Sequence, residues 1–177
     1  MILRPTGLAG CHVLEPQRHE DERGYFARMF CADEFAKAGL DPRVAQTSVS
    51  YNTAAGTLRG LHYQKAPHSE AKLVRCTRGR VFDVAVDLRP ESASYGEWTS
   101  EELTEHNQLA MYIPEGFAHG FLTLEPQSEL VYQISVPFVP DASEGIRWDD
   151  PALAIPWPSV DHVTISARDM SLPRMPA

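Results

Sequence analysis

Cysteine is scarce in this chain of 177 residues, which holds only Cys11, Cys31 and Cys76. An odd number at wide spacing forms neither a disulfide framework nor a zinc pattern. Buried or incidental thiols in a cytoplasmic protein are the simplest reading. No apolar run approaches the roughly 20 residues of a membrane-spanning helix. Met1 to Gly10 lacks the apolar core of a signal peptide and reads as mature protein. Basic residues are the minority, 16 Lys and Arg against 24 Asp and Glu, for a net charge of −8. A nucleic-acid surface wants the opposite balance. A small phosphorylated ligand is still compatible, because it needs only a local group of cations. Internal repeats and low-complexity linkers are missing too.

What is present suits one domain, residues 1–177, with its own core. Proline and glycine separate short alternating runs. Val44–Tyr51, Thr57–Gln64, Ala71–Thr77, Val81–Leu88, Gly96–Leu103, Leu109–Ile113, Gly120–Leu124 and Glu129–Val136 are expected strands. Ala32–Ala38 reads as a helix stopped by Gly39, and Ser166 as the cap of a short turn through Asp169. Many short strands with few helices predict an all-β sandwich or barrel with short peripheral helices. In Val81–Leu88, alternation puts Phe82, Val84, Val86 and Leu88 on one face and Asp83 and Asp87 on the other. The carboxylate face meets either solvent or a polar cavity. The proline-rich stretch from Asp149 onward is expected to wrap the core as an ordered loop.

Chemistry concentrates in Arg59-Gly60-Leu61-His62-Tyr63-Gln64. Arginine suits a two-pronged grip on phosphate, and histidine moves protons near neutral pH. Strict alternation sets Arg59 and His62 on opposite faces, so both reach one site only if Gly60 breaks the register. Lys72, turned inward, would stabilise negative charge developing on oxygen. Tyr132 shares a face with Leu130 and Ile134, as a core tyrosine or as a general acid at a cavity edge. Asp169, if beside His62, would orient the imidazole. Pro114-Glu115-Gly116-Phe117-Ala118-His119 resembles the second motif of the cupin jelly rolls. The matching first motif has Tyr63-Gln64 after His62 and so lacks its second histidine. Glu70 stands only loosely at the glutamate position, so the reading is a cupin-like barrel without a metal.

The whole chain then resembles the dTDP-4-dehydrorhamnose 3,5-epimerase family. The resemblance rests on Asp21–Phe26, Arg59–Gln64, Lys72–Val74, Asp83–Arg89, Ile113–Phe121, Gly145–Pro151 and Ile165–Asp169, in that order, from about residue 5 to 173. It implies a cofactor-free, metal-free cupin-type jelly roll that works as a homodimer, N-terminal residues completing the partner's site. The implied substrate is a nucleotide-diphosphate sugar with a 4-keto-6-deoxy ring, epimerised at carbons 3 and 5. His62 with Asp169 would be the base, Lys72 the enolate stabiliser and Tyr132 the acid. Arg59, Arg23 and His119 would hold diphosphate or sugar, and Gln46 the nucleotide end, with Asp83 bracing from behind. Phe26, Arg28 and Phe138 fall at recognition positions. Arg28 replaces a glutamate associated with the thymine base, Ser48 an asparagine, and Phe138 a tyrosine. Competing readings are a single-centre epimerase on another nucleotide sugar, a non-catalytic sugar-nucleotide-binding cupin, and a metal cupin.

Overall fold

The computed structural model describes residues 1–175. Its strands run in chain order as β1 (Ile2–Pro5), β2 (His12–Glu15), β3 (Arg18–Asp21), β4 (Gly24–Ala27), β5 (Gln46–Asn52), β6 (Leu58–Gln64) and β7 (Lys72–Arg78). They continue as β8 (Arg80–Asp87), β9 (Trp98–Thr104), β10 (Ala110–Ile113), β11 (Phe117–Thr123), β12 (Ser128–Ile134) and β13 (Ser143–Gly145). Two short helices join them, α1 (Ala32–Lys37) and α2 (Ala167–Met170). A six-stranded sheet has the order β1-β2-β10-β7-β12-β5, a five-stranded sheet β13-β6-β11-β8-β9, and β3-β4 form a separate hairpin. Neighbouring strands pair antiparallel, and the chain crosses repeatedly between the two large sheets. This is an all-β jelly roll of the cupin type with short peripheral helices.

Alternation explains why the sheets close face to face. Val74 and Cys76 of β7, Met111 and Ile113 of β10 and Leu130 of β12 meet Val81 and Ala85 of β8, Leu103 of β9, and Phe117 and Phe121 of β11 in one core. The outer sides are covered too. Phe35 of α1 packs on Leu73 and Tyr112 over the six-stranded sheet. Over the other sheet, Ile146 and Leu153 pack on Val84, Val86 and Ala118, with Phe82, Leu88, Ile155 and Trp157 beside them. The faces of β8 therefore fall as expected, and the segment after Asp149 does wrap the barrel. The carboxylate face is interior: Asp83 and Asp87 are both fully buried.

Four strands before residue 28 were not legible in the sequence. Pro5, Gly7 and Gly10 interrupt the first two, while β3 and β4 bury little on either face and so show no period of two. The two expected helices form as read, and Ser166 Oγ accepts from Asp169 N at 3.0 Å. None of the described helices is long and apolar enough to cross a membrane.

Asp87 shows what a buried charge requires here. Burial alone would raise its pKa, but Arg89, Ser92 and Ser94 hold it well below the usual carboxylate range. Arg89 Nε donates to Oδ1 at 2.8 Å, and the two serine hydroxyls donate to Oδ2 at 2.6 and 2.7 Å. Arg89→Ala should lower stability by about 3–5 kcal/mol in urea unfolding, because it strands a buried carboxylate without its cation. A loss under about 1 kcal/mol would show that the serines suffice.

Candidate active site

Strands β6 and β11 approach too closely for side chains at their centre. His119 pairs with His62 and Phe121 with Arg59, so three steps on β6 oppose two on β11. The extra residue is a bulge at Gly60, whose φ is +132°. A Cβ on Gly60 would lie 2.6 Å from Gly120 Cα, and one on Gly120 would lie 2.7 Å from the Arg59 carbonyl oxygen. Glycine is required on both strands. The bulge resolves the alternation conflict, because Arg59 and His62 now line the same cavity.

That cavity, about 350 Å³, opens between the two sheets and is also lined by Lys72, Tyr132, His119 and Phe138. Each histidine is braced by a carboxylate. His62 Nε2 lies 2.8 Å from Asp169 Oδ1, and His119 Nε2 lies 2.8 Å from Asp83 Oδ1. A carboxylate only accepts, so Nε2 carries the proton in the neutral ring and Nδ1 keeps its lone pair. Asp169 is itself held: its Oδ2 accepts from Gly60 N at 3.3 Å, and its backbone is capped by Ser166.

Burial lowers the His62 pKa below its ordinary value, and Asp169 opposes that shift. The ring therefore stays neutral and basic at neutral pH. Tyr132 packs edge-on against His119, with ring centroids 5.8 Å apart. Burial pushes its phenol well above the usual value, Asp83 adds to the rise, and Arg59 opposes it. It stays protonated, as a proton donor must. Lys72 does turn inward: its Nζ lies 2.9 Å from Glu70 Oε1 and donates to the His62 carbonyl oxygen at 3.1 Å.

Other expected residues are placed differently. Gln46 sits at the start of β5 with its side-chain oxygen accepting from Phe138 N, beside the cavity. Arg23, Phe26 and Arg28 lie outside the cavity within one chain. Arg23 is exposed and bound to Asp21, and Arg28 pairs with Glu34 at 3.1 Å. Phe26 and Arg28 border a separate hollow with Met1 and His19. Among the described residues, no three or more His, Cys, Asp or Glu side chains are placed to hold a metal. Glu70, weighed as a ligand, instead pairs with Lys72.

Arg168 and Asn52 were not anticipated as contributors. Arg168 lines both this cavity and an adjoining one of about 420 Å³, which also shares Arg59 and His62. Asn52 Oδ1 accepts from Arg59 Nε at 2.9 Å, and Ser48 and Ser50 line the cavity wall. The signal for the last group was available: Gln46, Ser48, Ser50 and Asn52 form a polar stripe of period two.

An imidazole braced by a carboxylate, a protonated phenol and a buried ammonium around one cavity form a set suited to moving protons, as an isomerase does. The sequence profile described as dTDP-4-dehydrorhamnose 3,5-epimerase matches residues 5–176. The Sinorhizobium fredii dTDP-4-dehydrorhamnose 3,5-epimerase is 39% identical over 175 residues, covering 99% of this chain and 90% of that protein. The crystal structure of the Elizabethkingia anophelis enzyme of that name superposes with a TM-score of 0.95 at 38% identity, covering 98% and 96% of the two chains. The Legionella pneumophila epimerase, solved in complex with dTDP-4-keto-L-rhamnose, gives 0.90 at 34% identity and 99% coverage of both. The chain belongs to the dTDP-4-dehydrorhamnose 3,5-epimerase family.

Asp169→Asn should slow turnover roughly 10²-fold or more, because the ring loses the partner that fixes its tautomer. Wild-type activity should fall as pH drops through a His62 pKa below 6.5. Asp169 raises that pKa, so in the variant the acid limb of kcat/KM should move to still lower pH. An unchanged limb would mean that Asp169 does not act on the base.

Proposed function

We propose that the chain inverts carbons 3 and 5 of a nucleotide-linked 4-keto-6-deoxy sugar. The observation that carries this reading is the opposition of His62 and Tyr132. They come from different sheets, β6 and β12, and line one cavity with Lys72. His62 Nδ1 removes the proton beside the ketone, and the electron pair moves onto the carbonyl oxygen. The Lys72 ammonium stabilises that oxyanion. Tyr132 delivers a proton to the other face of the carbon, which inverts it, and proton exchange with water resets both groups. The ketone is already in the substrate, so the sequence of steps needs no redox group. Arg59, with Arg168 close by, offers cationic contacts for the diphosphate.

A homodimer suits this reading. β1 and β5 are the two free edges of the six-stranded sheet, and exposed Ile2, Val49 and Tyr51 lie on them. The hairpin adds exposed Tyr25 and Phe26. Arg23, Phe26 and Arg28 would then serve the cavity of the second copy. A cytoplasmic setting keeps the three free thiols reduced.

In deuterated water, the protein should place deuterium from solvent at carbons 3 and 5 of such a sugar. Label at one carbon alone would make it a single-centre epimerase, and no label with any nucleotide would sink the proposal. His62→Ala should lose exchange by roughly 10²–10⁴-fold. Tyr132→Phe should keep proton removal yet yield less inverted product. Mixing inactive His62→Ala with Arg23→Ala should regain activity if sites are shared between copies. No recovery on mixing would place Arg23 outside the site.

A further inference from the structure

We infer that Glu70 is a positioning residue that aims Lys72 at the substrate's ketone oxygen. The inference rests on the oxyanion role of Lys72 proposed above. Both side chains are more than nine-tenths buried, and both line the cavity. An ammonium has three N–H donors. One of them goes to the His62 carbonyl oxygen at 3.1 Å, and the ammonium lies 2.9 Å from Glu70 Oε1 as an ion pair. Two fixed oxygens therefore bracket the ammonium and limit where its remaining N–H groups can point.

The two anchors come from separate parts of the barrel. The carbonyl belongs to the residue whose ring is the base, so Lys72 is referenced to the base itself. Glu70 sits just before β7 and is fixed by its neighbour: Ala71 N donates to Ser135 Oγ at 2.8 Å, and Ser135 N to the Ala71 carbonyl at 3.0 Å. Lysine is a point charge on a flexible four-carbon stem. Held by the carbonyl alone, it would swing, and the reacting oxygen would meet a misplaced cation. Glu70 is the counter-charge of a buried ammonium, but as a carboxylate beside a forming enolate it also opposes that enolate. Its useful property is where its oxygen lies.

Two conservative variants separate position from charge. Glu70→Asp keeps the charge but withdraws the carboxylate by one methylene. Glu70→Gln loses the charge but keeps an acceptor oxygen in the same place. Deuterium exchange into a nucleotide-linked 4-keto-6-deoxy sugar should show E70D down on the order of 10²-fold in kcat, with KM within about threefold. E70Q should recover to within about threefold of wild type. Wild-type exchange by E70D, or E70Q as slow as E70D with an unchanged melting temperature, would overturn the inference. Lys72→Ala is the control. If K72A is slow, those outcomes count against Glu70 alone. If K72A exchanges normally, the oxyanion role of Lys72 fails and the inference falls with it.

Discussion

The close approach of β6 and β11 is the constraint on which the site depends. Two backbones meet where Gly60 and Gly120 face each other, at a distance that leaves no room for a methyl group. The resulting bulge carries Arg59 to the cavity side without displacing His62. It also sets His62 beside His119 as direct cross-strand partners. Gly60 then contributes its own N–H to the carboxylate of Asp169. One local departure from pleat geometry thus brings Arg59 and His62 to one cavity and supplies part of the support of Asp169.

The cavity is continuous with the hydrophobic interior. Along β7, the inward positions run Lys72, Val74, Cys76, from polar to apolar. Along β12, Leu130 lies in the core, Tyr132 packs against it, and both Tyr132 and Ile134 line the cavity. The polar groups sit at the end of the barrel where the core gives way to the opening. Burial therefore acts on them as it acts on the core, lowering the basicity of His62 and keeping Tyr132 protonated. Several buried charged groups have a specific side-chain partner: Asp83 has His119, Asp87 has Arg89 and Lys72 has Glu70.

The central strands were legible because each buries a face, and Val81–Leu88 displays the alternation in full. The N-terminal strands were not, since β3 and β4 lie outside the two main sheets and bury little. His62, Lys72, Tyr132 and Asp169 could be read as chemically capable side chains, and motif order tied them together. What alternation could not supply was the fate of Arg59, because a bulge changes parity and only Gly60 hinted at it. Glu70 matched the motif's glutamate only loosely along the chain, and the fold puts a lysine against it. Arg168 was overlooked although it adjoins Asp169, because the position of α2 against β6 is a tertiary fact.

Asp169 stands 107 residues after the histidine that it braces. It arrives on a segment that lies over a barrel whose sheets are already complete without it. The segment is fastened locally: Leu58 N donates to the Thr164 carbonyl and Arg147 N to the Pro173 carbonyl, both at 2.8 Å. The pairing of the main sheets and the brace on His62 are therefore separate features of this chain. Fraying of this strap would leave every strand paired and the pocket open, yet remove the carboxylate from the imidazole. Turnover then becomes a sensor of local opening, able to fade well before any spectroscopic sign that the sheets have come apart.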